Sequence, residues 1–169
     1  QRLKNIVDDH LFKSDTISAK VLSDKSSHYL RSIVINKGSK HKVNLGMVVI
    51  DGEYLVGKIV EVNYSSSRVL LLSDLNSKIP VIVEPNTVIS ILSGTGKDYG
   101  VIQYSKKYED IKNESVIYTS GAGSLFKAGI PIGRMNINNL SDEKKVDFFS
   151  DFSQLKFVKV VSFKKSENK

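Results

Sequence analysis

The stretch Gly46–Val62, GMVVIDGEYLVGKIVEV, decides the fold. Two runs rich in apolar and β-branched residues flank the pair Asp51-Gly52. Asp-Gly favours a type I′ turn, whose twist suits two antiparallel strands. The stretch therefore predicts a β-hairpin with arms at Met47–Ile50 and Tyr54–Val62. Gly57 lies inside the second arm and predicts a bulge or bend, which a small barrel needs in order to curl.

The same pattern of short apolar runs and turn residues recurs along the chain. Further strands are predicted at Ala19–Ser23, Tyr29–Asn36, Arg68–Leu72, Lys78–Glu84, Val88–Leu92, Lys112–Ser120, Gly129–Met135 and Leu155–Phe163. Many short strands with little helix are typical of β-barrels and sandwiches. Because the strands are too many for one six-stranded barrel, we predict an all-β protein of two small barrels.

Two segments have helical patterns. Residues 1–14 carry one apolar stripe and are predicted to be the end of a coiled-coil helix, with a fraying chain end as the competing interpretation. Leu140–Phe149 is predicted to form a short helix, with Ser141 as its N-cap.

The predicted domain borders follow from the strands and turns. The first barrel is predicted at residues 15–74, with residues 153–165 returning to it. The second barrel is predicted at residues 75–152, and residues 164–169 are predicted to form a basic disordered tail.

No motif has the residues and spacing of a catalytic or metal site. The loop Gly94–Gly100, GTGKDYG, lacks the spacing of a phosphate loop and leads into a predicted strand instead of a helix. The histidines, His10, His28 and His41, form no H-x-H or H-x-x-x-H pair, and the chain has no cysteine. We therefore predict no catalytic residue, no cofactor and no metal.

A pair of β-barrels raises the hypothesis of a chymotrypsin-like protease. Such an enzyme needs a serine beside a histidine, with an aspartate orienting the histidine and backbone N–H groups forming an oxyanion hole. Ser120 and Ser124 lack the preceding Gly-Asp of that nucleophile loop, and His28 and His41 lack the Ala-Ala-His context. The sequence therefore disfavours proteolysis.

The chain of 169 residues is basic, with a formal charge of +7 and a pI near 9.4. Its lysines are scattered instead of clustered in the stripe that is typical of nucleic-acid binders. The charge is therefore best explained by a solvated surface. Contact with an acidic membrane surface or cell-wall polymer comes next, and direct nucleic-acid binding last.

Glycines mark most of the predicted turns and bends. In Tyr118–Met135, YTSGAGSLFKAGIPIGRM, we predict positive-φ corners after the strand and a close approach of the two barrels near Gly129–Gly133. At Gly38 we predict a turn residue able to take positive φ. The glycines assigned to structural turns are Gly38, Gly46, Gly52, Gly57, Gly121, Gly129 and Gly133.

Three stretches together resemble one protein family. INKGSKHKVNLGMVVI (Ile35–Ile50), GEYLVGKIVEVNYSSSRVLLLSD (Gly52–Asp74) and VIYTSGAGSLFKAGIPIGRM (Val116–Met135) occur in the order seen in the extracytoplasmic part of the rod shape-determining protein family MreC. The chain departs from the family pattern at Lys42, where glycine is usual, and at Lys127, where proline is usual. Both differences concern loop geometry.

The resemblance implies two barrels like those of chymotrypsin-type proteases but without the triad. It also implies a non-enzymatic scaffold of the cell-wall elongation complex, anchored in the bacterial inner membrane, with this segment on the extracytoplasmic, periplasmic side. The implied partners are the elongation-specific class B penicillin-binding transpeptidase, MreD, MreB and RodA, together with self-association into a dimer or larger assembly. Nucleic acid is not an expected partner.

A binding protein without chemistry needs anchor side chains on its surface, and these are usually aromatic or arginine. The candidate partner-binding residues are Tyr99, Tyr104, Tyr108, Phe126, Phe148, Phe149 and Phe152. For each of them, burial in its own barrel is the competing interpretation. Strand addition at an open sheet edge is a second route to self-association. The alternative function is a β-barrel module that binds nucleic acid or an acidic polymer.

Overall fold

A computed structural model describes residues 12–22, 31–103, 111–121, 127–137 and 143–165. In these residues, twelve strands form two closed antiparallel barrels of six strands each. The strands in chain order are β1 (Phe12–Leu22), β2 (Ser32–Ile35), β3 (Val48–Asp51), β4 (Tyr54–Val62), β5 (Ser67–Leu71), β6 (Lys78–Glu84), β7 (Val88–Gly94), β8 (Tyr99–Gln103), β9 (Val116–Thr119), β10 (Pro131–Asn136), β11 (Lys145–Phe148) and β12 (Phe157–Lys165).

The first barrel joins strands that are far apart in the sequence. Its hydrogen-bonded order is β1-β12-β3-β4-β5-β2, so β12 lies between β1 and β3. The second barrel uses only the middle of the chain, in the order β10-β11-β8-β7-β6-β9. The predicted fold of two closed six-stranded barrels is therefore confirmed.

The hairpin of β3 and β4 explains how the barrels meet. Gly52 takes a φ of 61° in the turn. The pairing register of β3 with β4 shifts between Val49 and Ile50, so that β4 has one extra residue there. Leu55 and Val56 are adjacent and point to opposite faces, yet both are fully buried. Val56 packs in the first core and Leu55 in the second, because the outer face of this hairpin is covered by the second barrel.

Polar contacts also connect the barrels. The Ser150 hydroxyl donates to the Asp51 carboxylate at 2.8 Å. The guanidinium of Arg31, just before β2, donates to the Gly96 carbonyl at 3.0 Å and pairs with Asp98. The buried Asp74 carboxylate, in the connection between β5 and β6, accepts the Arg31 backbone N–H at 2.7 Å. These bonds satisfy polar groups at the junction and fix its geometry.

The short helix predicted over Leu140–Phe149 was wrong in its described part. Residues 138–142 lie outside the described residues, and Lys145–Phe148 form β11. Val146 is fully buried and Asp147 is exposed. This alternation fits a strand, and the hydrogen-bond ladders to β10 and β8 outweigh the local capping signal.

The predicted chain ends also need correction. β1 begins at Phe12, so residues 12–14 belong to a strand instead of a helix, because their backbone pairs with β12. β12 runs to Lys165, so residues 164 and 165 are paired and not part of a disordered tail. Residues 1–11, with the rest of the predicted coiled coil, and residues 166–169 lie outside the described residues.

The glycines fall into two groups. Positive φ angles occur at Gly46, Gly52, Gly121 and Gly129, whereas a side chain would collide with backbone at Gly38, Gly57 and Gly133. Gly38 has a φ of −142°, so the prediction of a positive-φ turn there was wrong. The close approach at Gly133 is to Asp147 of β11 within the second barrel, so the predicted approach between barrels was also wrong at that residue.

Candidate partner-binding surface

The second barrel has apolar side chains on its outer face as well as in its core. In β6, Ile79, Val81 and Val83 point inward and are buried. Pro80 and Ile82 therefore point outward, since successive residues of a strand alternate between faces. Ile82 pairs directly with Ile89 of β7, whose side chain is 68% exposed. Single exposed apolar residues are common on protein surfaces, so Ile89 is informative because other apolar residues lie beside it.

Neighbouring strands extend this apolar area into a patch. Pro80 pairs with Ile91, and Ile82 also pairs with Tyr118 of β9. Residues directly opposite on antiparallel strands share a face, with Cβ atoms about 5 Å apart. We call the resulting patch the outer belt, and it consists of Pro80, Ile82, Ile89, Ile91, Val116 and Tyr118.

An arginine and two aromatic rings border the belt. Arg134 of β10 is exposed and pairs with Val116. Its guanidinium lies 5.8 Å from the centre of the Phe149 ring. Phe149 contacts Tyr54 of the first barrel, with ring centres 5.1 Å apart and ring planes tilted by 41°. These three residues, the junction cluster, supply the residue types that most often anchor protein interfaces.

Polar residues of β8, β10 and β11 lie beyond the junction cluster. We call Tyr99, Asn136, Lys145 and Asp147 the polar rim. Asp147 accepts a hydrogen bond from the Asn136 amide at 2.9 Å and lies opposite both Arg134 and Tyr99. The Lys145 ammonium lies 4.0 Å above the Tyr99 ring. An apolar centre bordered by charged and amide groups is the usual anatomy of a binding surface.

The sequence-predicted anchors fall into three groups. Phe149 lies in the junction cluster, and Tyr99 in the polar rim. Phe148 and Phe152 pack on each other, with ring centres 4.9 Å apart, and support the cores. Tyr104, Tyr108 and Phe126 lie outside the described residues.

The outer belt was missed, although the sequence held a signal for it. IPVIV, Ile79–Val83, is an unbroken apolar run in a strand of an antiparallel sheet, where a solvated outer face would give alternation. Arg134 and Tyr54 were missed because strand pairing, not sequence distance, brings them to Phe149.

The described residues hold no metal-binding cluster, since no three of their His, Asp or Glu side chains are grouped as a metal ion would need. No helix in the same part of the chain is long and apolar enough to cross a membrane. The pKa of Asp151 is lowered because the Ser153 hydroxyl and backbone N–H donate to its carboxylate. These bonds hold a 3₁₀ turn at Phe152–Gln154.

The fold and the surface define a class: a double β-barrel domain with an apolar patch on the outer face of its second barrel. The family model described as rod shape-determining protein MreC, barrel core, matches residues 21–162. The chain belongs to this family, and the resemblance drawn from the sequence is confirmed.

Relatives and solved structures agree with this assignment. The cell shape-determining protein MreC of Caulobacter vibrioides is 29% identical over 147 residues, 87% of this chain and 42% of the relative. That of Haemophilus influenzae is 39% identical over 115 residues, 68% of this chain and 33% of the relative. The chain thus spans less than half the length of these relatives.

Two solved structures are similar to this chain, at different levels of sequence identity. The crystal structure of MreC from Pseudomonas aeruginosa is similar with a TM-score of 0.80 and 27% identity, covering 88% of this chain and 99% of that one. A structure of the complex between the penicillin-binding protein PBP2 and MreC from Helicobacter pylori has a TM-score of 0.65 and 15% identity, covering 89% and 99%. The second likeness shows the fold alone.

Proposed function

We propose that this chain is the extracytoplasmic part of a non-enzymatic scaffold of the bacterial cell-wall elongation complex. In this proposal, the outer belt and the junction cluster bind the elongation-specific class B penicillin-binding transpeptidase. The single observation that carries the assignment is the apolar outer face of β6, β7 and β9. Family membership and the Helicobacter complex of PBP2 with MreC support the choice of partner.

The physical argument starts from barrel closure. A closed sheet offers no free edge for strand addition, and both barrels close among the described strands. Partners must then be held by side chains on the outer faces. Fully burying an isoleucine side chain contributes about 1.5–3 kcal/mol, and because Ile89 is 68% exposed, covering it contributes most of that amount. The bordering Arg134 and Tyr54 add geometric specificity.

Ile89→Asp tests the outer belt. The carboxylate would be buried without a partner in the complex but solvated in the free protein. We expect affinity for the purified extracytoplasmic region of the transpeptidase to fall at least about tenfold, which corresponds to about 1.4 kcal/mol. Isothermal titration calorimetry at moderate salt gives the measurement.

Phe157→Asp is the matched control, because Phe157 is 69% exposed on a strand of the first barrel. It should bind like the wild type. Equal losses in both variants, or no loss with Ile89→Asp, would show that the outer belt is not the contact surface. Tight binding to oligonucleotides with a steep salt dependence would instead favour the alternative function.

The remaining features belong to the same proposal. They are self-association, contacts with MreD, MreB and RodA in the complete assembly, anchoring in the inner membrane, and a periplasmic position for these barrels. Family membership is the ground for proposing them. A solved structure described as the major periplasmic domain of the cell shape-determining filament MreC supports the periplasmic position in particular.

A further inference from the structure

A second surface lies on the first barrel, where the chain leaves β2. A 3₁₀ turn at Ser39–His41 places Lys37, Lys40 and Lys42 within one short loop. The segments 36–47 and 62–67 contain no aspartate or glutamate. The nearby carboxylate of Glu61 is paired with Arg68 at 3.4 Å. The loop therefore concentrates positive charge that these segments do not neutralise.

Hydrogen bonds fix this loop in place. The backbone N–H of Ser39 donates to the Asn63 carbonyl at 2.9 Å, and that of Lys40 donates to the Tyr64 carbonyl at 3.0 Å. Gly38 is packed so closely on the loop between β4 and β5 that an added Cβ would lie 2.6 Å from the Ser66 nitrogen. The lysines are consequently presented on a preformed support.

Exposed apolar side chains accompany the lysines. Tyr64 is 72% exposed, and the Lys40 ammonium lies 5.5 Å from the centre of its ring. Leu45 is 67% exposed. The Gly46 backbone N–H donates to the Ile59 carbonyl at 2.8 Å, which brings the segment of Leu45 beside the exposed Val60. We call Lys37, Lys40, Lys42, Leu45, Val60 and Tyr64 the basic–apolar surface.

Lys42 occupies a backbone position that favours glycine. Its φ is 67° and its ψ 27°, in the left-handed region, where its N–H closes the turn on the Ser39 carbonyl at 3.0 Å. A Cβ destabilises that conformation. Glycine would avoid this cost, whereas the lysine found here adds a third positive charge to the loop.

We propose that the basic–apolar surface docks the first barrel on an anionic lipid bilayer. Lysines are attracted to anionic headgroups, and tyrosine and leucine side chains favour the boundary between headgroups and acyl chains. A soluble polyanion would match the lysines but would leave Leu45 and Tyr64 without a role. The proposal does not depend on transpeptidase binding, which is assigned to the outer belt and the junction cluster.

Vesicle co-sedimentation of the purified chain tests this inference. The wild type should bind vesicles of mixed phosphatidylglycerol and phosphatidylcholine, should not bind phosphatidylcholine alone, and should be released by added salt. The combined substitution Lys37→Gln, Lys40→Gln and Lys42→Gln should weaken binding about a hundredfold, since each lysine near an anionic surface accounts for about fivefold.

The matched control replaces three exposed lysines elsewhere, Lys97, Lys112 and Lys156, with glutamine. It changes the net charge equally and should bind like the wild type. Equal losses in the two triple variants would overturn the proposal, because only net charge would then matter.

Two further variants separate lipid from other anions and binding from folding. The pair Leu45→Ser and Tyr64→Ser should weaken vesicle binding but leave binding to inorganic polyphosphate unchanged. If vesicle binding does not change, the surface is a polyanion site and the lipid proposal fails. Lys42→Gly should weaken vesicle binding about fivefold with no loss of thermal stability, whereas unchanged vesicle binding would contradict a role for the Lys42 charge.

Discussion

At the residue scale, several glycines are required because a side chain at their positions would collide with neighbouring backbone. An added Cβ at Gly57 would overlap the Leu70 carbonyl, and one at Gly133 would overlap the Asp147 carbonyl. Both collisions are with the backbone of a paired strand, which cannot move without breaking the ladder. Gly46 differs, because its φ is 85° and nothing lies within 4 Å of an added Cβ.

This difference predicts the effects of two substitutions. Gly133→Ala should destabilise the protein by about 2–3 kcal/mol or more, because overpacked backbone must shift. Gly46→Ala should cost only about 1–2 kcal/mol, from the left-handed conformation alone. Urea unfolding of both variants gives the comparison. Equal effects would mean that β10 and β11 adjust to the added methyl group.

At the element scale, the 3₁₀ turn at Ser39–His41 depends on an unprotonated histidine nitrogen. The Gly38 backbone N–H donates to His41 Nδ1 at 3.1 Å, and a proton on that nitrogen would remove the acceptor. Loss of hydration and then the charges of Lys37 and Lys40 lower the pKa of His41 below 6.5. The turn therefore holds its histidine in the neutral form.

The sign of the pH dependence follows from that direction. Because the folded-state pKa is below the unfolded value, the contribution of His41 to stability is present above pH 6.5 and is lost as the pH falls through the folded pKa. We expect an NMR titration of His41 to have its midpoint below 6.5. Replacing Lys37 and Lys40 with glutamine should raise this midpoint, and an unchanged midpoint would argue against the charge effect.

At the scale of the whole molecule, the first barrel contributes side chains to the core of the second. The cluster that fills the second barrel includes Val48 and Leu55 of the first barrel. It also includes Leu72, which directly follows β5. Phe152 contacts both clusters. Since buried side chains of both barrels pack together at the junction, the two barrels should unfold together.

Leu55→Ala tests this cooperation, because the side chain is fully buried at the junction. We expect a loss of about 2–5 kcal/mol and a single unfolding transition. Hydrogen exchange should show lower protection in strands of both barrels. Loss of protection confined to β3 and β4 would show that the barrels are independent.

Sequence patterns alone were enough to predict most of the strands, the Asp51-Gly52 hairpin, the family and the count of two barrels. These depend on local alternation and turn chemistry, which are readable along the chain. The sequence prediction was wrong at β11, where a capping signal favoured a helix. In the structure this segment pairs with β10 on one side and β8 on the other. The local helix propensity is weak compared with the backbone hydrogen bonds that a strand forms with a neighbour on each side.

The positions of the candidate binding surfaces could be read only from the three-dimensional structure. The outer belt joins β6, β7 and β9, and the junction cluster joins Tyr54 to Arg134 and Phe149 across the two barrels. Phe148 and Phe149 are adjacent in sequence, but one supports a core and the other lies at the junction surface. Which face a strand residue presents depends on pairing, bulges and barrel closure, and these are set by contacts between segments far apart in the chain.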